Sequence, residues 1–485
     1  MNAGGALTST GGAVAAVDLG ATSGRVMLGY VGRDELRLEP VARFPNHPVR
    51  TIDGLHWNIL ELYRNVLAGL GQALHDEPDL SSIGIDSWAV DYALVAGDRM
   101  LGTPFHYRDE RTSRGIDAVH AVTGFEELYG VNGLQFLPIN TLYQLAAERE
   151  GGWLDRADSM LLIPDLLAFW LTGARRAEHT NASTTGLLDA RTGRWDTALA
   201  ERLGIPPRIL PPLAEPGTIV GTLLPAVVAE LGAPSALPVT AIGSHDTASA
   251  VVAVPATEPE FAYISSGTWS LVGVELEQPV ITDASRAANF TNESGVDGRI
   301  RFLQNVSGLW LLSESVRHWE KESGETISLP ALLAAAAEAP APAAVFDAGD
   351  PEFIPPGDMP ARISAWFTSR GLDAPRSRAE LTRVILESLA EAYSHAIRLA
   401  AELSGHPVRV VHVVGGGSQN ALLCQLTADR TGLPVLAGPV EATAVGNVLI
   451  QARAQGLVPA DSSLESLRAL VARVFPPTRY SPTPR

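Results

Sequence analysis

The chain has 485 residues, 46% of them hydrophobic and 19% charged, a composition typical of a globular protein long enough for two large domains. Its formal net charge of −18 argues against nucleic acid or an anionic membrane as the main partner. Cys424 is the only cysteine, which excludes intramolecular disulfides and cysteine-rich metal clusters.

The scarcity of lysine restricts the phosphate chemistry that is possible. Lys321 is the only lysine, and it lies in a polar run. A Walker-type phosphate loop and a pyridoxal Schiff base each need a lysine in a glycine-rich or apolar setting. Any ATP site must therefore use arginine, backbone amides and a metal ion.

The ends and the apolar runs carry no targeting or membrane signal. Residues 1–12 are small and polar without a basic segment, so we expect a short loose tail and not a signal peptide. The apolar run 161–171 contains Asp165 and is too short to cross a membrane. A cytoplasmic protein is the simplest interpretation.

The stretch Val14 to Tyr30 is the most informative part of the chain. An apolar run ends in Asp18, a loop of small and hydroxyl residues follows, and a second apolar run begins after Arg25. Gly20 and Gly24 give such a loop conformations that bulkier residues avoid, so that backbone amides can face a phosphate. The pattern predicts a nucleotide phosphate with Mg²⁺. The alternative is an ordinary hairpin turn.

Strand-like and helix-like runs alternate along the whole chain, which predicts an α/β fold. The helix expected at 59–74 carries Leu60, Tyr63, Leu67, Leu70 and Leu74 on one side. The other predicted helices are 161–171, 187–204, a helix starting at 248, one starting at 330, 381–403 and 421–431. The predicted strands are 26–31, 36–44, 82–86, 239–242, 261–265 and 408–414.

A boundary is expected at residues 255–260, where proline and glutamate accumulate. The run from Phe261 to Glu275 then repeats the opening scheme of strand, Ser/Gly/Thr loop and strand. Two such hairpins suggest a duplicated domain that clamps a nucleotide between two loops. We predict a tail at 1–12, domains at 13–254 and 255–475, and a C-terminal tail at 476–485.

A third glycine-rich segment follows the strand expected at 408–414. Gly415, Gly416 and Gly417 precede the predicted helix 421–431. A strand, a glycine turn and a helix N-terminus let a nucleotide base and ribose approach the backbone. A purely structural turn is the equal alternative.

Several runs, in this order, resemble the FGGY carbohydrate kinases, which belong to the actin/hexokinase-like ATPase superfamily. The resemblance extends from about residue 13 to about residue 456. It implies two ribonuclease-H-like domains with the active site in the cleft between them, sugar held mostly by the first and ATP by the second. The runs are 17–28, 83–92, 107–112, 135–145, 180–185, 244–251, 265–270, 308–312 and 438–442.

Two of these runs, 135–140 and 244–249, favour the branch of the family that acts on L-rhamnulose. The resemblance then implies ATP-dependent phosphorylation of the primary 1-hydroxyl, giving L-rhamnulose 1-phosphate and ADP. Another ketose such as L-fuculose or D-xylulose is the alternative, and a non-catalytic sugar- or nucleotide-binding regulator on the same fold is a further one. The implied protein is a monomer or a small homo-oligomer.

The resemblance implies that Asp246 is the general base, which accepts the proton of the sugar hydroxyl. Its alternative role is a helix N-cap, because an aspartate before Thr-Ala-Ser-Ala-Val suits one. His245 and Thr247 are implied to contact sugar hydroxyls. Asp91 is a further hydroxyl acceptor, or else a buried cap or ion-pair member, and Asn305 aligns with a sugar contact of the family.

The nucleotide site implied by the resemblance draws on several segments. Arg25 would lie nearest the transferred phosphoryl group, and Asp18 would hold Mg²⁺ through water. A strand-end acid that satisfies loop amides is the alternative for Asp18. The implied phosphate and adenosine contacts are Ala21, Thr22, Ser23, Gly24, Arg25, Thr268, Ser313, Gly416 and Gly417.

Two positions depart from the family pattern. Ala89 stands at a sugar contact where the family usually has glycine, so its methyl group could narrow the pocket while leaving a backbone contact intact. Ser313 stands where a glutamine commonly approaches the nucleotide, and the shorter side chain puts that contact in doubt. Cys424 follows the third glycine segment and is assigned no role beyond packing.

Overall fold

The computed structural model describes residues 11–484, except for the side chains of residues 150 and 351. The chain forms two compact units, and neither is one continuous segment. The first unit contains the described residues up to Ala253 together with Leu276–Arg301 and Ala442–Val474. The second contains Val254–Glu275, Phe302–Glu441 and the end of the chain.

These units are divided differently from the continuous domains expected at 13–254 and 255–475. The helix Ala442–Ala454 belongs to the first unit because its polar side chains bond to that unit's strands. Gln451 donates from Nε2 to the carbonyl oxygen of Ala15 over 3.0 Å. Position along the sequence could not reveal this return of the chain.

The first unit is built on a six-stranded mixed sheet. Gly12–Leu19 is paired parallel to Leu80–Ser87 and antiparallel to Ser23–Val31, and all but its first residue are buried. A strand covered on both faces reads as a continuous apolar run, as here. The strands follow one another across the sheet in the order Ile219–Thr222, Pro238–Thr240, Leu80–Ser87, Gly12–Leu19, Ser23–Val31 and Leu36–Pro45.

The first strand overlaps with the N-terminal tail that was expected at 1–12. It begins at Gly12, so the last residue assigned to the tail lies in the sheet. Residues 1–10 of that prediction lie outside the described residues.

The helix predicted at 59–74 is present as Ile59–Asp76, and four of the five residues expected on its inner side are buried or half-buried, namely Tyr63, Leu67, Leu70 and Leu74. Ile59, Leu62 and Val66 are buried, whereas the side chain of Leu60 is 63% exposed. Leu60 is therefore the one residue of the predicted set that faces solvent. The apolar cluster of the first unit contains Leu70 and Leu74 together with Ile59, Leu62 and Val66, so the buried stripe is wider than the predicted one on one side.

Two other helix predictions are wrong in part. The run 161–171 begins as the strand Ser159–Leu162 and continues as the helix Ile163–Thr172, because Pro164 at the start of a helix favours a boundary there. The run 187–204 contains a short hairpin before the helix Thr197–Arg202. The side chain of Asp196 caps that helix, accepting from Leu199 N over 2.9 Å.

The remaining elements of the first unit surround the sheet. Its other helices are Thr112–His120, Phe125–Asn132, Thr141–Glu148, Trp153–Arg156, His179–Ala182, Pro225–Leu231, Asp246–Val252, Asp283–Ala287, Ala442–Ala454 and Leu464–Val474, with 3₁₀ turns at Arg149–Gly151, Ser183–Thr185, Pro207–Ile209 and Val296–Gly298. Its short strands are Pro48–Arg50, Leu55–Trp57, Tyr92–Ala96, Arg99–Met100, Ala177–Glu178, Leu188–Asp189, Arg194–Trp195, Leu213–Ala214 and Thr291–Ser294.

The second unit also has a central sheet, and it contains the hairpin predicted from residue 261. Phe261–Ser266 pairs antiparallel with Trp269–Leu276 and parallel with Val410–Val414. Its strands run in the order Ile300–Ser307, Trp269–Leu276, Phe261–Ser266, Val410–Val414, Val435–Ala437 and Thr478–Tyr480.

The last of these strands corrects the C-terminal tail expected at 476–485. Thr478–Tyr480 pairs antiparallel with Val435–Ala437, so this part of the chain is an edge strand of the sheet. Three residues with one aromatic give no periodic signal, and pairing with an existing edge supplies their structure.

The helices of the second unit agree with the expected ones at 330, 381–403 and 421–431. They are Trp310–Ser323, Leu329–Glu338, Met359–Thr368, Arg378–Ser404 and Ala421–Thr431, with 3₁₀ turns at Pro351–Phe353 and Gly416–Gln419. Among residues 11–484, no helix combines the length and the apolar character that crossing a membrane requires.

Candidate active site

Two aspartates lie opposite each other where neighbouring strands of the first unit end. Asp18 and Asp86 are register partners in the parallel pair Gly12–Leu19 and Leu80–Ser87. The segment before Asp246 joins the same edge, since Ser87 N donates to Ser244 O over 2.9 Å. Carboxyl ends of parallel strands share one edge of a sheet, where open α/β sheets place their ligand sites.

The loop predicted to bind phosphate is shorter than expected. The second strand starts at Ser23, and Gly20 N donates to Ser23 O over 2.9 Å, which leaves Ala21 and Thr22 as a two-residue turn. Asn46, which directly follows the neighbouring strand Leu36–Pro45, holds this turn in place. It donates from its backbone N to Thr22 O and from Nδ2 to Gly20 O, each over 3.0 Å.

The conformational argument for the two glycines of this loop is wrong. Neither Gly20 nor Gly24 has a positive φ. Gly24 is required by space, because a Cβ there would lie 2.3 Å from Phe44 Cε2 and 2.8 Å from Leu19 Cδ2. The absent side chain lets the hairpin pack closely on the core.

Arg25 and Asp18 form an ion pair across the hairpin. They are register partners in the antiparallel pair, and the guanidinium reaches Asp18 Oδ2 from Nε at 2.8 Å and from Nη2 at 2.5 Å. The Arg25 side chain is 23% exposed, so it also faces solvent. The structure thus brings together the predicted phosphate arginine and the predicted metal ligand.

Asp246 is the first residue of the helix Asp246–Val252, and it does not cap that helix. His245 occupies the cap position and makes no side-chain capping bond. The Asp246 carboxylate instead accepts from Thr247 Oγ1 over 3.1 Å and remains half-buried. The N-cap alternative is therefore contradicted.

The surroundings of Asp246 raise its pKa above the usual 3.8. Removal from water is the main cause, and the Asp18 charge adds to it. A carboxylate with a raised pKa is a better proton acceptor near neutral pH.

A buried glutamate, which the sequence reasoning missed, holds the segment before Asp246. Glu178 Oε2 accepts from Ser244 N over 3.0 Å and from Ser244 Oγ over 2.8 Å. At the start of the helix His179–Ala182, Oε1 of the same carboxylate accepts from Thr180 N and Oε2 accepts from Asn181 N. One carboxylate thereby ties two chain segments together, and no local motif announces it.

Asp86 was also missed as a site residue, although its run, Ile-Gly-Ile-Asp, ends in an acid just as the first strand does. Asp86 is fully buried, and burial together with the Asp18 charge raises its pKa well above the usual value. Asn447 donates from Nδ2 to Asp86 Oδ2 over 2.6 Å. Asp86 Oδ1 is buried without a hydrogen-bond partner in the part of the chain that the structure describes.

That unpartnered oxygen bears on whether the site suits Mg²⁺. Among residues 11–484, no three His, Cys, Asp or Glu side chains are arranged to hold a metal by themselves. Mg²⁺ in phosphoryl-transfer sites needs fewer, since it keeps several waters and takes one or two carboxylates plus substrate phosphates. Asp18 with Asp86 meets that requirement.

Asp91 is held by the protein itself. Its Oδ2 accepts from Trp57 Nε1, Trp88 Nε1 and Tyr107 N, and its Oδ1 accepts from Gln144 Nε2 over 2.9 Å. A carboxylate has about four acceptor positions, so these donors fill them. Burial raises the pKa of Asp91 to about 6. This geometry gives Asp91 a scaffold role and no support for direct sugar contact.

Ala89 lies in a tight turn just before Asp91. Val90 has a φ of 68°, and Asp91 N donates to Ala89 O over 2.9 Å. A β-branched residue with positive φ is strained, and the Val90 carbonyl is held in place by Thr141 Oγ1 at 2.7 Å. The half-buried Ala89 therefore has a fixed backbone orientation.

In the second unit, Thr268 occupies the turn between the two strands of the hairpin. The next helix starts against this turn, with Trp310 N donating to Thr268 O over 3.1 Å. Gly308 permits the approach, because a Cβ there would lie 2.6 Å from the backbone of Trp269.

The third glycine segment forms the 3₁₀ turn Gly416–Gln419. Gly416 is exposed with open space around its Cα, whereas a Cβ on Gly417 would lie 2.0 Å from Ser266 Oγ. Gly416 therefore leaves the backbone accessible, whereas Gly417 allows close packing against Ser266. Burial raises the pKa of the Cys424 thiol beneath this turn to about 12.

Two further predicted residues of the second unit lie on other elements. Asn305 is half-buried on the strand Ile300–Ser307. Ser313 is exposed on the helix Trp310–Ser323.

Comparison with known proteins matches both parts of the chain to one family. Residues 13–253 match the N-terminal domain, and residues 262–455 the C-terminal domain, of the FGGY family of carbohydrate kinases. A protein named rhamnulokinase from Bacteroides thetaiotaomicron is 41% identical over 470 residues, which cover 96% of this chain and 95% of the relative. One of the same name from Pectobacterium carotovorum is 43% identical over 478 residues, covering 97% and 93%.

Solved structures agree at the level of the fold. A gluconate kinase from Lactobacillus acidophilus superposes with a TM-score of 0.78 at 17% identity, covering 98% of this chain and 94% of that one. A xylulose kinase from the same organism gives 0.76 at 17% identity, covering 97% and 94%. At these identities the likeness supports the two-domain architecture and not the choice of sugar.

Proposed function

The chain belongs to the FGGY family of carbohydrate kinases, and we propose that it transfers the γ-phosphoryl group of ATP to the 1-hydroxyl of L-rhamnulose. The products are L-rhamnulose 1-phosphate and ADP, as in the degradation of L-rhamnose. The assignment of this sugar is supported by relatives named rhamnulokinase that are 41% and 43% identical over nearly the whole chain.

The observation that carries the proposed chemistry is the position of Asp246. It starts a helix at the sheet edge that also holds Asp18 and Asp86, and its raised pKa suits a proton acceptor. In the proposed reaction Asp246 accepts the proton of the sugar hydroxyl while that oxygen attacks the γ-phosphorus in line. The oxygen–phosphorus bond to ADP breaks, and the ADP oxygen takes the electron pair.

Asp18 and Asp86 would hold Mg²⁺, Asp18 through water. When bound, the ion neutralises charge on the phosphate oxygens. Arg25 supplies a second positive charge beside the transferred group, since its guanidinium is fixed by Asp18 and partly exposed.

The ATP phosphates would lie against the turn of Ala21 and Thr22 and the start of the next strand, Ser23 and Gly24. Thr268 would provide a hydroxyl to the phosphates. The open surface of Gly416, with Gly417 behind it, suits the adenosine. Ser313 is exposed and short, and we assign it a water-bridged contact at most.

The sugar would be held by His245, Thr247 and Asn305, with the fixed backbone at Ala89 as a further contact. Asp91 would act indirectly, because its bonds to Trp57 and Trp88 hold the aromatic residues in place. We place the enzyme in the cytoplasm, as a monomer or a small homo-oligomer.

A panel of ketoses tests the substrate assignment. ADP release with Mg-ATP is measured on L-rhamnulose, L-fuculose, D-xylulose, L-ribulose and D-fructose, and the highest kcat/KM is expected on L-rhamnulose. A higher value on another ketose would retain the mechanism and replace the sugar, with the methyl group of Ala89 as the first cause to examine. Nucleotide binding without turnover of any ketose would favour a regulator.

A further inference from the structure

His245 is flanked on one side by a fully buried arginine. Arg301 Nη2 lies 3.1 Å from His245 Nδ1, and the Arg301 side chain is 0% exposed. A guanidinium has only hydrogen-bond donors and stays protonated in proteins. The ring nitrogen that faces it must therefore be an acceptor, which means that Nδ1 carries no proton.

Glu293 compensates the buried charge of Arg301. Its Oε2 lies 3.1 Å from Arg301 Nη1 and 3.3 Å from His245 Nδ1. Arg301 also donates from Nε to the carbonyl oxygen of Ser294 over 3.0 Å, which fixes the plane of the guanidinium. The ion pair with Glu293 and the hydrogen bond to Ser294 thus hold Arg301 against the imidazole.

The second ring nitrogen of His245, Nε2, points toward Asp246. His245 Nε2 lies 3.4 Å from Asp246 Oδ1. With a proton on Nε2 this contact is a donor facing a carboxylate. With the proton on Nδ1 instead, that N–H would face Glu293 Oε2 at 3.3 Å but would also oppose the Arg301 N–H at 3.1 Å, and a nitrogen lone pair would face the Asp246 carboxylate.

We propose that Arg301 and Glu293 are positioning residues that hold His245 neutral, with its proton on Nε2. The consequence for the reaction rests on the proposed function. His245 then donates a hydrogen bond at the acceptor site, to Asp246 or to a sugar oxygen, and it cannot take the hydroxyl proton. Asp246 is left as the proton acceptor of the pair.

The tautomer can be measured without any substrate. The protein is labelled with ¹⁵N-histidine, and the His245 ring is assigned by loss of its signals in His245→Gln. At neutral pH we expect an unprotonated Nδ1 and a protonated Nε2. A protonated Nδ1, whether in the other neutral tautomer or in an imidazolium, would overturn the proposal. This reading does not change if the sugar or the reaction has been assigned wrongly.

Paired variants connect the tautomer to turnover. Arg301→Met with Glu293→Gln removes the donor without leaving a buried charge, and we expect kcat to fall about 10–100-fold with little change in KM for ATP, the effect of losing one charge-assisted bond. The Nε2–H signal should weaken in the same protein. Arg301→Lys keeps a charged donor and should recover part of kcat.

The matched control is Arg299→Met. Arg299 pairs with Glu277 and Glu465 at the surface, and its loss should leave the His245 signals and kcat at wild-type values. If the folded double variant kept both wild-type kcat and the Nε2–H tautomer, Arg301 would not position the ring.

Discussion

Asn447 donates from its side-chain amide to Asp86 Oδ2 over 2.6 Å, although 361 positions separate the two residues in the sequence. Asn447 is itself oriented by Gln451, whose Nε2 donates to Asn447 Oδ1 over 2.7 Å. A helix from the C-terminal part of the chain thereby supports a strand end in the N-terminal part. The orientation of one proposed metal ligand depends on that helix.

Asn447→Ala removes the side-chain donor that the buried Asp86 Oδ2 has. An unsatisfied buried acceptor costs about 1–3 kcal/mol, so we expect the free energy of unfolding in urea to fall by that amount and kcat to fall with it. Gln455→Ala is the control, because its amide bonds to Thr240 away from the aspartates. If Asn447→Ala left both the urea midpoint and kcat unchanged, the hydrogen bond from Asn447 to Asp86 would contribute neither to stability nor to turnover.

The pH dependence of turnover should reflect the raised pKa of Asp246. The base must be ionised, so kcat/KM should fall toward acid with a midpoint above 3.8, the usual aspartate value. Asp18→Asn removes a negative charge that raises this pKa, and the midpoint should therefore move to lower pH, whatever the loss of rate. A midpoint that stays in place or moves upward in Asp18→Asn would contradict the assignment.

Stability should decrease as pH rises because of a second buried acid. Asp165 is held by one donor, Glu178 N at 3.1 Å, and burial raises its pKa well above 3.8. The folded state thus keeps a proton that the unfolded state releases, and stability is lost as pH rises from about the unfolded pKa toward the folded one. Asp165→Asn should flatten this decrease in urea unfolding between about pH 4 and pH 8.

The control for that experiment is Asp79→Asn, an exposed position. Its stability profile should follow the wild type. An equally steep decrease in Asp165→Asn would mean that Asp165 is not a source of the pH dependence.

Two helices of the first unit cross closely at Gly446, so adding a methyl group there should lower the stability of the protein. A Cβ at Gly446 would lie 1.8 Å from Ser249 O, on the helix that begins at Asp246. Gly446→Ala should destabilise the protein by about 1–3 kcal/mol and lower kcat, because the helix must shift. Gly130→Ala, in a helix with open space around the glycine, should instead hold or raise stability by about 0.5–1 kcal/mol. Equal effects of the two substitutions would contradict this crossing.

Local patterns predicted the elements whose signal is local. The hairpin at 261–276 and the helix Ala421–Thr431 follow directly from alternation and from glycine punctuation. The inner side of the helix Ile59–Asp76 was predicted except for Leu60, because packing decides which residues at the edge of an apolar stripe are buried.

The site residues also differ in whether a local sequence pattern identifies them. Asp18, Arg25 and Asp246 stand in short recognisable runs, so they could be named from the sequence. Glu178, Glu293 and Arg301 reach the site from other segments, and their roles depend on pairs of residues far apart in the sequence. Such long-range contacts leave no periodicity or spacing for a single sequence to show.

The most direct test of the central claim is the chemical step in Asp246→Asn, followed as the rate of ADP formation in a single turnover with L-rhamnulose. Asp283→Asn is the matched control, since Asp283 is also the first residue of a helix but is exposed. We expect Asp246→Asn to bind ATP and to lose about 10²–10⁴-fold in rate or more, with Asp283→Asn unchanged. A folded Asp246→Asn enzyme with near wild-type rate would contradict the assignment of Asp246 as the base.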